Sequence, residues 1–237
     1  MTTSTSGNPL GPFVEPGTAK LPPHAPLKGR HVTLEQRDPS HFDGLYDVLG
    51  GKENRELWDY ILSGPFLDRA EFHAAFSSGI EKFPNSFPYT IIDNASQKPV
   101  GSLAFICIDR ENRSIEAGYV LFSKLLQRTA AATEVMYLLA SLVFDTLGYR
   151  RYEWRCDNLN EPSKRAALRF GYTFEGLFRQ HMIINGRNRD TAWYSMLDTE
   201  WPIVKRAFQT WLAEENFDAN GRQRESLTDL LRVAKVS

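Results

Sequence analysis

The run from Thr129 to Leu147 limits the fold of this chain more than any other segment. Placed on a helix, its apolar residues (Ala130, Val135, Met136, Leu139, Leu142, Val143 and Leu147) fall on almost every side. A helix of that kind has no broad polar face to give to water, so other elements must cover it. Thr129 suits the N-cap and Gly148 suits the stop.

The segments available to cover it are rich in β pattern. "FPYTIID" (87–93), "PVGSLAFICID" (99–109) and "SIEAGYVLF" (114–122) stand in series. Turn residues 94–98 and the polar "RENR" separate them, so the spacing predicts three antiparallel strands. "RHVTLEQR" (30–37) alternates as a strand, and "RRYEWRCD" (150–157) is another. Asp38 and Pro39 open one helix, and Asp68 caps a second that runs to about Ile80. Asn160 to Ser163 opens a shorter helix that ends near Gly171. Residues 172–186 and 187–197 form a long hairpin with Asn185-Gly186 at its turn. An amphipathic helix with Trp201 and Trp211 follows over 199–213, then a polar arm and a final helix through Leu231. Residues 1–28 are rich in Pro, Gly, Ser and Thr, an extension that is disordered or lies extended over the surface. The organisation expected is one α+β domain over 29–202, with extensions at 1–28 and 203–237.

Composition narrows the partners. The formal net charge of the 237 residues is -1, without the basic footprint that nucleic-acid binding requires. Two cysteines, Cys107 and Cys156, give neither a zinc pattern nor a disulfide framework, which points to a reducing compartment, the cytoplasm. His24, His31, His41, His73 and His181 contain no i,i+4 pair, so no metal is expected. The Asn94-Ala-Ser96 and Asn112-Arg-Ser114 sequons are read as unused, because the N-terminus lacks a charged region followed by an apolar core. No run reaches the roughly 18 apolar residues of a membrane span.

At the start of the buried helix stands Gln127-Arg128-Thr129-Ala130-Ala131-Ala132-Thr133-Glu134. A helix N-terminus offers unpaired N–H groups and a positive dipole end to an anion, but every helix has one. The surroundings are more specific. The segment resembles the acetyl-CoA-binding motif of the GNAT superfamily of N-acetyltransferases, Gln/Arg-x-x-Gly-x-Gly/Ala, with alanine at 130. "NEPSKRAALRFGYTFEGLFRQH" (160–181) is similar to the family's second half, and "EAGYVLF" (116–122) to the strand before its cofactor loop. "NGRNRDTAWYSMLDTEWP" (185–202) is similar to its closing hairpin. The nearest branch is that of ribosomal-protein N-terminal acetyltransferases and their small-molecule-acetylating relatives.

The resemblance implies a GNAT fold: a mixed, mostly antiparallel sheet of six to seven strands flanked by helices, splayed between the fourth and fifth strands. It also implies acetyl-CoA as co-substrate and direct transfer to an amine in a ternary complex. Residues 127–133 (Gln127, Arg128, Thr129, Ala130, Ala131, Ala132 and Thr133) would cradle the diphosphate. Gly118, Tyr119 and Val120 would meet the pantetheine arm, with a donor for the thioester oxygen at Gly118 or Tyr119. Asn160 and Ser163 would contact that arm or the sulfur, or cap their helix, and one residue can do both. Glu116 is the candidate base; the other reading is a strand carboxylate facing solvent or paired with a nearby arginine. The tyrosine acid of many relatives is missing, since residues 166–170 read Ala-Ala-Leu-Arg-Phe. Tyr172 is read as core. If the alanines serve where glycines usually stand, the loop must already be helical at residue 130, with no need of positive φ there.

For the acceptor, "LWDYILSGPF" (57–66) offers Trp58, Tyr60 and Phe66 as an apolar wall and Asp59 for an ammonium; otherwise Trp58 and Phe66 belong to the core. Arg179, His181 and Tyr194 lie on the closing hairpin, where Arg179 would favour a carboxylate. These clues ask for opposite charges. The primary expectation is N-acetylation of a small amine or amino-acid-like molecule. The alternatives are acetylation of a protein or peptide N-terminus, and a degenerate module that binds acyl-CoA without catalysis. The chain is expected as a monomer or as a homodimer through the aromatic C-terminal helix.

Overall fold

Alternating strands and one all-round apolar helix resolve into a single open sheet wrapped about that helix. The computed structural model describes residues 2–3, 6–80, 83 and 85–236. In chain order the elements are β1 (Thr2–Thr3), β2 (Pro9–Leu10), β3 (Leu27–Lys28), β4 (Val32–Gln36), α1 (Phe42–Leu49), α2 (Arg69–Ser77), β5 (Phe87–Asp93), β6 (Lys98–Asp109) and β7 (Ser114–Phe122). Then come α3 (Ala130–Ser141), β8 (Arg151–Asp157), α4 (Glu161–Arg169), β9 (Thr173–Ile184), β10 (Arg187–Leu197), α5 (Trp201–Leu212) and α6 (Leu227–Val236).

Eight strands form the main sheet in the order β3-β4-β5-β6-β7-β8-β10-β9, while β1 and β2 pair separately. Six to seven were expected. The eighth is two-residue β3, which adds to the edge through Leu27↔Leu34 and Lys28↔Thr33 and is too short to carry a periodic pattern. All neighbours are antiparallel except β7 and β8. That parallel pair is held only at Ser114↔Arg151, Ile115↔Tyr152 and Glu116↔Glu153. Beyond it the strands part, between the fourth and fifth strands counted from β4.

The helix between them is α3, capped by Thr129, whose side chain accepts from the Ala132 N–H. Val135, Met136, Leu139 and Val143 are buried, as the all-round apolar pattern requires. The last turn, Leu142–Thr146, widens to a π-helix, and Gly148 at φ +77° ends it. Strand β4 is fastened to α3 by buried Glu134. Its carboxylate accepts the N–H groups of Arg30, His31 and Val32 at 2.7, 2.7 and 3.0 Å. Gly29 is required beside it, since a Cβ there would lie 2.5 Å from the carboxylate.

Helix α5 packs on α3, with Trp201, Phe208 and Trp211 all buried. The Trp201 indole donates to Asp145 at 2.9 Å. The aromatic face expected to supply a dimer surface is therefore spent inside the chain. The N-terminal extension lies over the surface, pinned where Ala19 N–H and Lys20 N–H donate to Arg110 and Leu147 carbonyls. No helix among the described residues is long and apolar enough to cross a membrane.

Glu134→Ala is expected to strand three backbone donors and to lower unfolding free energy by roughly 3 kcal/mol or more, as read by urea titration. A loss below about 0.5 kcal/mol would show that β4 does not depend on this carboxylate.

Candidate functional site

Because β7 and β8 part, a cleft of about 1820 Å³ opens between them and runs past the N-termini of α3 and α4. Strand β7 bends at its mouth. Pairing with β6 passes from Ala104↔Gly118 to Ser102↔Leu121, so β7 carries one extra residue, and Tyr119 takes φ +50°. Gly118 sits where a Cβ would overlap the Ile106 side chain. Just past the last backbone pair, the Glu116 carboxylate bonds to Arg155 of β8. Glu116 is 3% exposed, so this is a buried pair bridging the strands as they separate. Arg155 also donates to Cys107 Sγ at 2.6 Å and lies 4.4 Å from the Trp193 ring centroid. The pairing with a nearby arginine is present, and it engages Oε2 of the carboxylate.

The loop into α3 is tight. Ser123 O accepts from Leu126 N–H and Gln127 N–H, both at 3.0 Å, and Gln127 Nε2 donates to Phe122 O at 2.8 Å. Thr129 Oγ1 donates to Leu126 O at 2.7 Å while accepting from Ala132 N–H at 3.2 Å. The left-handed residue is Arg128, at φ +63°, and Ala130 is already the first residue of α3. Alanine is thus tolerated at 130 because positive φ is needed two residues earlier. The N–H groups of Arg128 and Ala130 find no partner among the described residues, and both residues line the cleft. Gln127, Thr129, Ala132 and Thr133 line it as well, whereas Ala131 packs against the core.

Sequence reasoning missed Arg169, which lines the same end of the cleft. It donates to Thr133 Oγ1 at 3.1 Å and lies 5.1 Å from the Trp211 ring centroid, and burial pulls its pKa down. Its spacing from Arg165, i and i+4 on α4, was the available signal. The C-terminal segment closes this end with Trp211, Phe217 and Gln223. Asn216 organises that segment, its Nδ2 donating to Trp211 O and Glu225 O.

At α4, Asn160 Oδ1 accepts from the Ser163 N–H at 3.1 Å, the expected cap, and its Nδ2 has no partner among the described residues. Ser163 Oγ accepts from the Trp154 indole at 2.9 Å, and its hydroxyl meets the Cys156 thiol on the other side. Burial pushes the neighbouring Cys156 thiol up. Tyr172 is buried against Tyr152 and Trp154, with centroids 5.5 and 5.7 Å apart.

The acceptor residues divide. Tyr60 and His181 line the cleft, and Tyr60 reaches across to Leu159 O at 3.3 Å. Trp58 instead belongs to an aromatic core with Phe66, Phe72 and Phe76, its indole donating to Leu49 O at 2.7 Å. Trp58 and Phe66 border a separate cavity of about 140 Å³. Asp59 is exposed and outside the cleft, because the 3-10 turn that buries Trp58 turns its neighbour outward. Arg179 is also exposed and outside it, and Tyr194 is buried under Phe174. The hairpin cation that does line the cleft is Arg189, which the sequence reading passed over.

The sequence model of the acetyltransferase (GNAT) domain matches residues 31–173. The solved structure of a GCN5-related N-acetyltransferase from Brucella melitensis is 42% identical, with a TM-score of 0.86 over 91% of this chain and 97% of that one. The uncharacterized N-acetyltransferase YoaA of Bacillus subtilis (strain 168) is 33% identical over 41% of this chain and 55% of its own length. The putative ribosomal N-acetyltransferase YdaF of the same organism is 29% identical over 43% of this chain and 55% of its own length. The chain spans about half the length of these two curated relatives.

Arg155→Met leaves the Glu116 carboxylate buried without its partner, and should cost about 3–5 kcal/mol in urea unfolding. Adding Glu116→Gln should recover a large part of that loss; additive losses would show that the pair is not coupled.

Proposed function

The chain belongs to the GNAT acetyltransferase family, and on that premise we propose that it moves the acetyl group of acetyl-CoA directly to the primary amine of a small, amino-acid-like acceptor. One observation carries this reading: β7 and β8 part at the point where the N-terminus of α3 presents the unpartnered N–H groups of Arg128 and Ala130 to the cleft. An anionic diphosphate suits those donors and the Arg128 guanidinium. Residues 29–202 carry the transferase domain, and the segment within 203–237 completes the nucleotide end of its cleft.

When bound, acetyl-CoA supplies an activated acetyl thioester. Gly118, Tyr119 and Val120 on β7 would hold the pantetheine arm, and a backbone N–H at the Tyr119 bulge would be the donor for the thioester oxygen. The free Nδ2 of Asn160 donates to the arm. The Ser163 hydroxyl, which sits between Trp154 and Cys156, would offer the departing thiolate a hydrogen bond, and the thiolate would take its proton from solvent. The acceptor amine arrives mostly as an ammonium and must lose a proton before attack. Glu116 receives it on Oε1, while Arg155 holds Oε2. Tyr60 and His181 border the acceptor.

A second reading, acetylation of a peptide N-terminus, draws on the similarity to YdaF, named as a putative ribosomal N-acetyltransferase, and on the size of the cleft. Release of free thiol from acetyl-CoA, measured against amines, amino acids and short peptides, separates the readings. Turnover should be fastest with small amino-acid-like acceptors. A preference for peptides would favour the second reading, and measurable CoA binding without any turnover would mark a non-catalytic module. Glu116→Gln should lower kcat/KM roughly 100-fold or more and remove the acidic limb of its pH profile. An unchanged profile would show that water alone carries the proton.

A further inference from the structure

Cations near the splay are almost all spoken for. Arg155 is paired with Glu116, and Arg151 with Glu153 and Glu175. Arg189 is different. It lies on β10 just before Thr191↔Asp157, the first β10–β8 pair, at a register shift in the hairpin. Its side chain is half-buried and lines the cleft. The Nε–H donates to Thr191 Oγ1 at 3.2 Å, and His181 Nδ1 meets the same oxygen at 3.0 Å. The guanidinium is thereby braced by one edge, while its Nη groups have no hydrogen-bond or ion-pair partner among the described residues. Asp157 acts on it electrostatically without a bond or ion pair to it, and Oδ1 of that carboxylate accepts the Leu159 N–H at 2.8 Å.

Placement tells which end of the cleft this charge serves. Burial pulls the Arg189 pKa down, and the groups that act on it electrostatically are Asp157, Cys156, Arg155 and Tyr119. Tyr119 is the bulge residue of β7, Cys156 lies on β8, and both line the cleft. Both stand at the splay. The cations of the phosphate cradle are Arg128 and Arg169, the latter held on Thr133 of α3. A half-buried, braced guanidinium with its outer fork unfilled is costly unless a ligand completes it. A carboxylate or a phosphate fits a planar fork bidentately, and with the phosphate cradle at the other end of the cleft the group left for Arg189 is a carboxylate.

Resting on the acetyltransferase reading, we infer that Arg189 receives the carboxylate of the acceptor, so that the preferred substrates carry an amine and a carboxylate a few bonds apart, as free amino acids do. The charge expected of Arg179 is supplied instead by Arg189, on the partner strand of the same hairpin. A carboxylate could also arrive on a dicarboxylic acyl donor, so the test has an arm for each source.

Thiol release by the full chain is measured with matched acceptors, amino acids and their amides, for wild type, Arg189→Gln and Arg189→Lys, with thermal melts to verify folding. Wild type should prefer the acids. In Arg189→Gln the acid-to-amide ratio of kcat/KM should fall roughly 10- to 100-fold, chiefly through acceptor KM, and Arg189→Lys should restore part of it. An unchanged ratio would overturn the inference. So would a KM for acetyl-CoA that rises as much as that of the acceptor, which would place the guanidinium on the cofactor. In the donor arm, succinyl-CoA replaces acetyl-CoA with the amides as acceptors. If it is used better than acetyl-CoA and this advantage is lost in Arg189→Gln, the carboxylate belongs to the donor. If no acceptor is turned over, the acetyltransferase reading fails separately. Calorimetric binding of N-acetyl amino acids to the CoA-loaded protein then decides: weaker binding to Arg189→Gln supports the carboxylate site, and equal binding sinks it.

Discussion

Three residue pairs of parallel ladder hold β7 to β8, and the rest of the architecture follows from how short that ladder is. Parallel neighbours cannot be joined by a tight turn, so the chain must cross over through an intervening element, here the buried helix α3. The crossover starts at the far end of β7, where the strands have already separated. The N-terminus of α3, with its orphan donors and positive dipole end, therefore opens onto the gap. A longer ladder would close the cleft, and without it the two halves of the sheet would lose the strand pairing that joins them. The buried pair of Glu116 and Arg155 stands at the limit between these outcomes, bridging the strands one step beyond the last backbone bond.

Two further devices hold the mouth of the cleft in shape. Glu134, one turn into α3, gathers three N–H groups at the head of β4 and so ties the helix to the opposite half of the sheet. The loop before α3 places its left-handed backbone at Arg128 and not at the position where relatives carry glycine. An arginine there costs about 1 kcal/mol or more, a strain of the kind that gathers at ligand sites. In return alanine can occupy the first helical position without strain.

Much of this was legible in the sequence, for local reasons. Strands β5, β6 and β7 alternate between clear turn signals. Thr129, Asn160 and Asp68 are capping residues in front of apolar periodicity, and Asn185-Gly186 takes the double left-handed turn that such a pair permits. What failed to show depends on long-range placement. Periodicity tells that Trp58 and Asp59 point apart, but not which of them meets the cleft; the aromatic cluster of α1 and α2 decides it. Arg179 and Arg189 look alike in the sequence, and only the hairpin register and its shift put Arg189 inside. The position of the C-terminal segment over the cleft rests on Arg169, Trp211 and Asn216, residues whose meeting no local pattern announces.

The central claim is that the parted strands and the N-terminus of α3 together form the acetyl-CoA site. Backbone amide shifts, followed by NMR as CoA is titrated, test it most directly. The account predicts saturable shifts at Arg128 and Ala130, where unpartnered N–H groups acquire an acceptor, together with Gly118 to Val120 on β7. Shifts confined to other surfaces, with Arg128 and Ala130 unmoved at saturation, would contradict it.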